Sequence, residues 1–137
     1  MKMVLTSHGS FCEGILDSYR MIAGDSKNIY TISLTDSGIK DYSERLNKLL
    51  ADFKSEEILI LTDIKGGTPY NEAYKYYLSN VEKVKVVSGM NLPMVIEAGL
   101  NLSVCTINDL FKLAIENGRD GIEGIIDSAS NDNDLDF

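Results

Sequence analysis

The chain's only histidine, His8, is its clearest candidate for chemistry. It follows a short apolar run, Met3-Val4-Leu5-Thr6, and precedes Ser10-Phe11-Cys12-Glu13. Ser10 and Glu13 have the spacing of a capping box, in which each side chain satisfies a backbone N–H at a helix start. The pattern therefore puts His8 at the carboxyl end of a first strand, beside a helix N-terminus. In open α/β sheets ligands bind at that edge, and a helix N-terminus there favours an anion such as phosphate. An imidazole changes charge near neutral pH and can act as a nucleophile. A lone histidine is as often a surface or core residue, so position alone leaves both readings open.

A second loop with unusual chemistry runs Thr62-Asp63-Ile64-Lys65-Gly66-Gly67-Thr68-Pro69-Tyr70-Asn71. If the first and third strands are neighbours, this loop faces Thr6-Ser7-His8-Gly9-Ser10. Gly66-Gly67 lets backbone N–H groups turn toward an anion without steric cost. Thr68 is placed as an N-cap and Pro69 as the first residue of a helix, so a second helix N-terminus would point at the same site. Asp63 would accept the Nδ1–H of His8 and leave Nε2 free as the nucleophile. The same residues also read as a simple turn and cap.

Other chemistries fit less well. A phosphoacceptor of the receiver type needs an acidic cluster where this chain has Thr-Ser-His. The GxxxxGK[ST] loop of nucleotide-binding proteins and the GxSxG elbow of serine hydrolases are both absent. Cys12 and Cys105 are far apart and neither has a CxxC partner. No metal site is expected, and the cysteines read as small buried hydrophobes.

The elements that must position these loops alternate. Strand-like runs cover Met3–Ser7, Ile29–Leu34, Ile58–Asp63 and Val84–Ser88, and they are aliphatic with little polar alternation, as in parallel strands buried on both faces. Between them lie helical stripes: Ile15, Tyr19, Ile22 and Ala23, ended by Gly24; then Ile39, Tyr42, Leu46, Leu49, Leu50 and Phe53 after Ser37; then Tyr70, Ala73, Tyr74, Tyr77 and Leu78. A short fourth helix is expected from Pro93 to Leu100. A fifth is capped by Thr106 and runs to Gly118. Gly121 to Ile126 reads as a weak final strand. Residues 127–137 read as a disordered acidic tail. The fold class is α/β, a three-layer sandwich around a mostly parallel, doubly wound sheet.

At 137 residues, with 44% apolar and 25% charged content, the chain suits one soluble domain. No apolar run approaches the roughly 20 residues of a membrane span, and no signal region follows Met1-Lys2, so a cytoplasmic protein is expected. A net charge of −8 without a basic cluster argues against nucleic acid or anionic membrane as partner.

Three blocks together resemble the IIA component of the mannose-family phosphoenolpyruvate-dependent sugar phosphotransferase system. They are Ser7-His8-Gly9 at the end of the first strand, Thr62-Asp63-Ile64-Lys65-Gly66-Gly67-Thr68-Pro69-Tyr70-Asn71, and Ser88-Gly89-Met90-Asn91-Leu92-Pro93-Met94. The likeness spans about residues 1 to 126, leaving only the tail.

That resemblance implies that His8 accepts a phosphoryl group on Nε2 from the phosphocarrier HPr and passes it to a histidine of a IIB protein. Asp63 would orient and polarise His8. Thr68, with Gly66, Gly67 and nearby backbone N–H groups, would hold the phosphoryl oxygens. Ser7, Lys65, Pro69, Asn71, Asn91 and Pro93 would form the pocket wall. Lys65 departs from members that carry an aromatic residue there. No cofactor is implied. The family is usually a homodimer whose last strand, here about Gly121 to Ile126, crosses to the partner's sheet antiparallel. IIB would be a separate polypeptide, with membrane IIC and IID components as functional associates. Two other readings remain: a phosphoryl donor for dihydroxyacetone kinase, and a non-catalytic module that binds a phosphorylated ligand. A −8 protein repels a phosphorylated partner at long range, so the local helix N-termini and loop amides must outweigh that, or the acids must attract a basic rim on the carrier.

Overall fold

The computed structural model describes residues 1–127. Four strands and five helices alternate as β1 (Lys2–His8), α1 (Phe11–Ala23), β2 (Ile29–Leu34), α2 (Gly38–Asp52), β3 (Ile58–Thr62), α3 (Thr68–Leu78), β4 (Val84–Ser88), α4 (Leu92–Leu100) and α5 (Ile107–Asp120). The strands form one parallel sheet in the order β2-β1-β3-β4. The first and third strands are therefore neighbours, and their carboxyl ends share one edge.

Successive side chains of a strand point to opposite faces, so each strand feeds two cores. Met3, Leu5, Leu59 and Leu61 pack under α1, α4 and α5 with Leu16, Tyr19, Val95, Ala98 and Leu110. Val4, Ile58 and Ile60 pack on the other face against Tyr42, Leu46, Leu50 and Phe53 of the α2 region and Ala73 of α3. Every residue of β3 is buried, which explains its unbroken aliphatic run. Tyr42 carries its phenol into this core, where it bonds Thr6 Oγ1, and burial pushes its pKa well above the usual tyrosine range.

Several boundaries follow the expected chemistry. Thr106 Oγ1 accepts from Asp109 N at 3.2 Å and starts α5. Gly24, at φ +87°, ends α1. Asn91 caps α4, which starts at Leu92, one residue earlier than expected.

Other expectations are corrected. Ser10 and Glu13 form no capping box: the Ser10 side chain makes no cap bond, and Glu13 instead accepts from Ser33 Oγ at 2.9 Å. The helix-start amide of Cys12 is taken by Ser7 Oγ at 2.8 Å. Gly67, not Thr68, is the N-cap of α3, so Thr68 is the first helical residue and Pro69 the second. Ile22 and Ile39, expected on buried stripes, are 61% and 56% exposed because they sit at the solvent margin of their helices. Gly121 to Ile126 forms no strand in the single chain, and Ile122 and Ile125 are exposed. The expected tail lies, from Ser128 onward, outside the described residues.

Candidate active site

The paired ladder of β1 and β3 ends at Thr6 and Thr62. Asp63 leaves the sheet at the next residue, while His8 closes β1 on its pairing with β2. The two side chains meet at the sheet edge. Asp63 Oδ2 accepts the backbone N–H of His8 at 2.9 Å and lies 2.7 Å from its Nδ1. Asp63 Oδ1 accepts Ile64 N–H at 2.9 Å. An ionised carboxylate only accepts, so Nδ1 carries the proton and the neutral ring keeps its lone pair on Nε2. The histidine side chain is half exposed while that of Asp63 is only 15% exposed. A half-exposed imidazole is thus backed by a largely covered carboxylate.

The two glycines of the second loop do different work. Gly66 has φ +85°, a left-handed conformation that disfavours any side chain. Gly67 has an ordinary extended backbone, φ −76° and ψ 169°. Its need for glycine is space: a Cβ there would stand 2.6 Å from His8 Cε1 and 3.3 Å from Nε2. The Gly67 backbone therefore lies against the Cε1–Nε2 edge of the ring. Gly67→Ala is expected to push the imidazole aside, read as large shifts of the His8 ring signals by NMR with little change in melting temperature. Gly66→Ala is expected to do the reverse, costing about 1–2 kcal/mol of stability with smaller ring shifts. Equal ring shifts in the two variants would remove the distinction.

The loop is clamped from within α3. Asn71 donates from Nδ2 to Gly66 O at 3.2 Å and from its backbone N–H to Gly67 O at 2.9 Å. Pro69 is buried in the first turn, and Thr68 is half-buried beside Gly67. Among the described residues, the amides of Ser10 and Phe11 at the start of α1, and those of Gly66 and Thr68, donate to no protein acceptor. Both helix N-termini thus present unused donors at the edge where His8 stands.

The remaining expected residues lie elsewhere. Ser7 is fully buried, with its hydroxyl turned to Cys12 N and Gly9 O rather than to the open site. Asn91 accepts Met94 N–H at 3.1 Å and donates to Gly118 O at 2.8 Å, tying α4 to α5. Pro93 packs where a Cβ on Gly121 would fall. Lys65 and Asn91 share a cavity of about 450 Å³ on the β4 side with Tyr70, Ser88 and Arg119. The open side of His8 is instead a cleft with Glu13, Thr35 and Asp36. The loop after β2 was not expected in the site. Its signal was topological: β2 is also parallel, so its Leu34-Thr35-Asp36 exit reaches the same edge, and Leu34 O accepts Gly9 N–H at 2.7 Å.

No helix among the described residues is long and apolar enough to cross a membrane. The chain matches, over residues 2–115, the EIIA-man family model, described as the PTS system fructose IIA component. It is 31% identical over 99 residues to the PTS system fructose-specific EIIA component of Bacillus subtilis, covering 71% of this chain and 67% of that protein. It is 28% identical over 129 residues to the PTS system mannose-specific EIIAB component of Escherichia coli, covering 90% of this chain but 39% of that longer protein. Its fold is similar to the crystal structure of phosphotransferase system component EIIA from Streptococcus agalactiae, with TM-score 0.81, 33% identity, and coverage of 95% of this chain and 98% of that one. The chain belongs to the EIIA-man family of sugar phosphotransferase-system components.

Proposed function

We propose that His8 is the phosphoryl carrier of this chain, charged by phospho-HPr and discharged onto a histidine of a IIB protein. The observation that carries this is the double acceptance by Asp63 Oδ2 of the His8 backbone N–H and Nδ1–H. It leaves Nε2 as the one basic nitrogen of a half-exposed ring. In the transfer, the Nε2 lone pair forms the new N–P bond. The donor's N–P bond breaks, and its electron pair returns to the donor imidazole. The His8 ring, now substituted at Nε2 and protonated at Nδ1, is cationic and stabilised by Asp63. The phosphoryl oxygens are met by the unused amides of Ser10, Phe11, Gly66 and Thr68 and by the Thr68 hydroxyl. Transfer to IIB runs the same steps in reverse, with no metal or cofactor.

The IIB partner is favoured because a relative of the same family carries EIIA and EIIB in one protein. The acidic cleft of Glu13 and Asp36 beside His8 suits a carrier with a basic rim. On this reading the protein works in the cytoplasm beside membrane IIC and IID components, and Lys65 adds a cation at the loop.

The experiment is incubation of the chain with enzyme I, HPr and labelled phosphoenolpyruvate, followed by mapping of the label. A single acid-labile, base-stable phosphate on His8 is expected. Label on another residue, or ligand-dependent stabilisation without covalent label, overturns the relay.

Homodimerisation is part of the same proposal. β4 is an open edge of the sheet, flanked by a cavity whose apolar lining includes Val86, Phe111, Ile115 and Ile122. The segment after α5 carries exposed Ile122, Ile125 and Ile126. Crossing of residues 121–126 onto the β4 edge of a second copy pairs that edge and buries those side chains. Deletion of 121–126 is expected to convert a dimer to a monomer by light scattering. A monomeric full-length chain at micromolar concentration sinks this part.

A further inference from the structure

Only Gly9 and Ser10 separate the end of β1 from the start of α1. In so short a connection the backbone groups that find a protein partner decide which are left for a ligand. His8 N–H goes to Asp63 Oδ2 and Gly9 N–H to Leu34 O. Ser10 O accepts Gly14 N–H at 3.0 Å. The remaining carbonyl, Gly9 O, accepts from Ser7 Oγ at 3.1 Å, and Ser7 Oγ in turn accepts Cys12 N–H at 2.8 Å. One hydroxyl thus spans the loop from the residue before His8 to the second residue of α1.

We propose that Ser7 is a positioning residue for phosphoryl transfer, its buried hydroxyl bracketing the His8 loop. The inference rests on the phosphoryl-carrier reading of His8. Two consequences follow from the bonds. The Gly9 carbonyl, whose partial negative charge repels a phosphoryl oxygen, is held in a hydrogen bond inside the loop. The amides of Ser10 and Phe11, which attract one, are left over. The bracket also fixes the backbone on both sides of His8, while Asp63 fixes its ring from the neighbouring strand. Neither constraint replaces the other. Ser7 and Cys12 are fully buried, so water does not take over when the hydroxyl is removed. The Ser10 hydroxyl, though adjacent, makes no cap bond and does not substitute.

The test compares Ser7→Ala, Ser7→Thr and Ser7→Cys with the wild-type chain, using phospho-HPr as donor. Ser7→Ala should lower kcat for phosphorylation of His8 by about tenfold or more, with KM for phospho-HPr little changed. Ser7→Thr keeps the hydroxyl and should restore most of the rate; should its extra methyl unfold the buried site, Ser7→Cys, a weaker donor, should fall between serine and alanine. NMR of Ser7→Ala should show the largest amide shifts at Gly9, Ser10 and Cys12, with the Asp63–His8 bond kept. A Ser7→Ala chain that is folded and phosphorylated at the wild-type kcat overturns the inference. A rate loss that tracks the unfolded fraction alone, or one not graded by the replacement's hydrogen-bonding power, also overturns it. If the wild-type chain accepts no phosphate on His8, it is the carrier reading that has failed.

Discussion

His8→Ala should abolish covalent phosphorylation while leaving a folded protein. The side chain is half exposed and packs into neither core, so its loss opens no cavity. Asp63 Oδ2 keeps the His8 backbone N–H as a partner and Oδ1 keeps that of Ile64, so the loop retains two of its three anchors. The variant should melt within a few degrees of wild type. It should show no label from phosphoenolpyruvate through HPr, a loss limited only by detection. As the chain has no other histidine, there is no second imidazole to take over. Label retained in His8→Ala removes His8 from the relay.

Asp63→Asn should slow transfer by about 10²–10⁴-fold with the fold intact, as expected when the group orienting an imidazole loses its charge. The carboxylate has two jobs, and an amide does one of them badly. Its one oxygen can accept either from Ile64 N–H, in the place of Oδ1, or from the two His8 groups, in the place of Oδ2, but not from all three. With the oxygen on Ile64 N–H, the amide nitrogen faces Nδ1, and because it donates it favours the ring tautomer with the proton on Nε2, where the proposed relay needs the lone pair. The amide also supplies no counter-charge once the phosphorylated ring becomes cationic. Rapid-quench transfer from phospho-HPr measures the first effect and the hydrolysis rate of the phosphorylated variant the second. Wild-type rates in both would leave Asp63 without a role beyond the loop.

The sheet was legible because its strands are buried on both faces, which leaves continuous aliphatic runs such as Ile58–Thr62 that turn chemistry does not imitate. The meeting of His8 with Asp63 was legible once β1 and β3 were neighbours. The capping of the two site helices was not. Ser10 and Glu13 have the right spacing for a capping box, but Gly9 at φ +55° turns the chain so that Ser7, from inside the strand, reaches the helix first. Thr68-Pro69 reads as cap and first residue, yet Gly67 takes the cap with its extended backbone. Both misreadings have one origin: hydrogen bonds between an element and the residues just outside it depend on backbone torsions that residue type constrains only weakly. From the third block, Asn91 and Pro93 read as pocket wall. Asn91 lines a cavity with Lys65 and also ties α4 to α5, a use set by where α5 lands and not by the Asn-Leu-Pro-Met motif.

Asp63 Oδ2 holds the main chain and the ring of His8 at a single point. A histidine free to rotate would have to be captured in the right orientation at every encounter, and released again in the next. Here the two torsions of the side chain are fixed before any partner arrives, so the freezing of about 0.5–1 kcal/mol of rotamer entropy falls on folding and not on transfer. In the proposed relay the same orientation serves when Nε2 receives and when it gives. A carrier of this kind imposes no direction of its own: flow through it follows the relative phosphorylation of the proteins on either side, and either can drain or fill it.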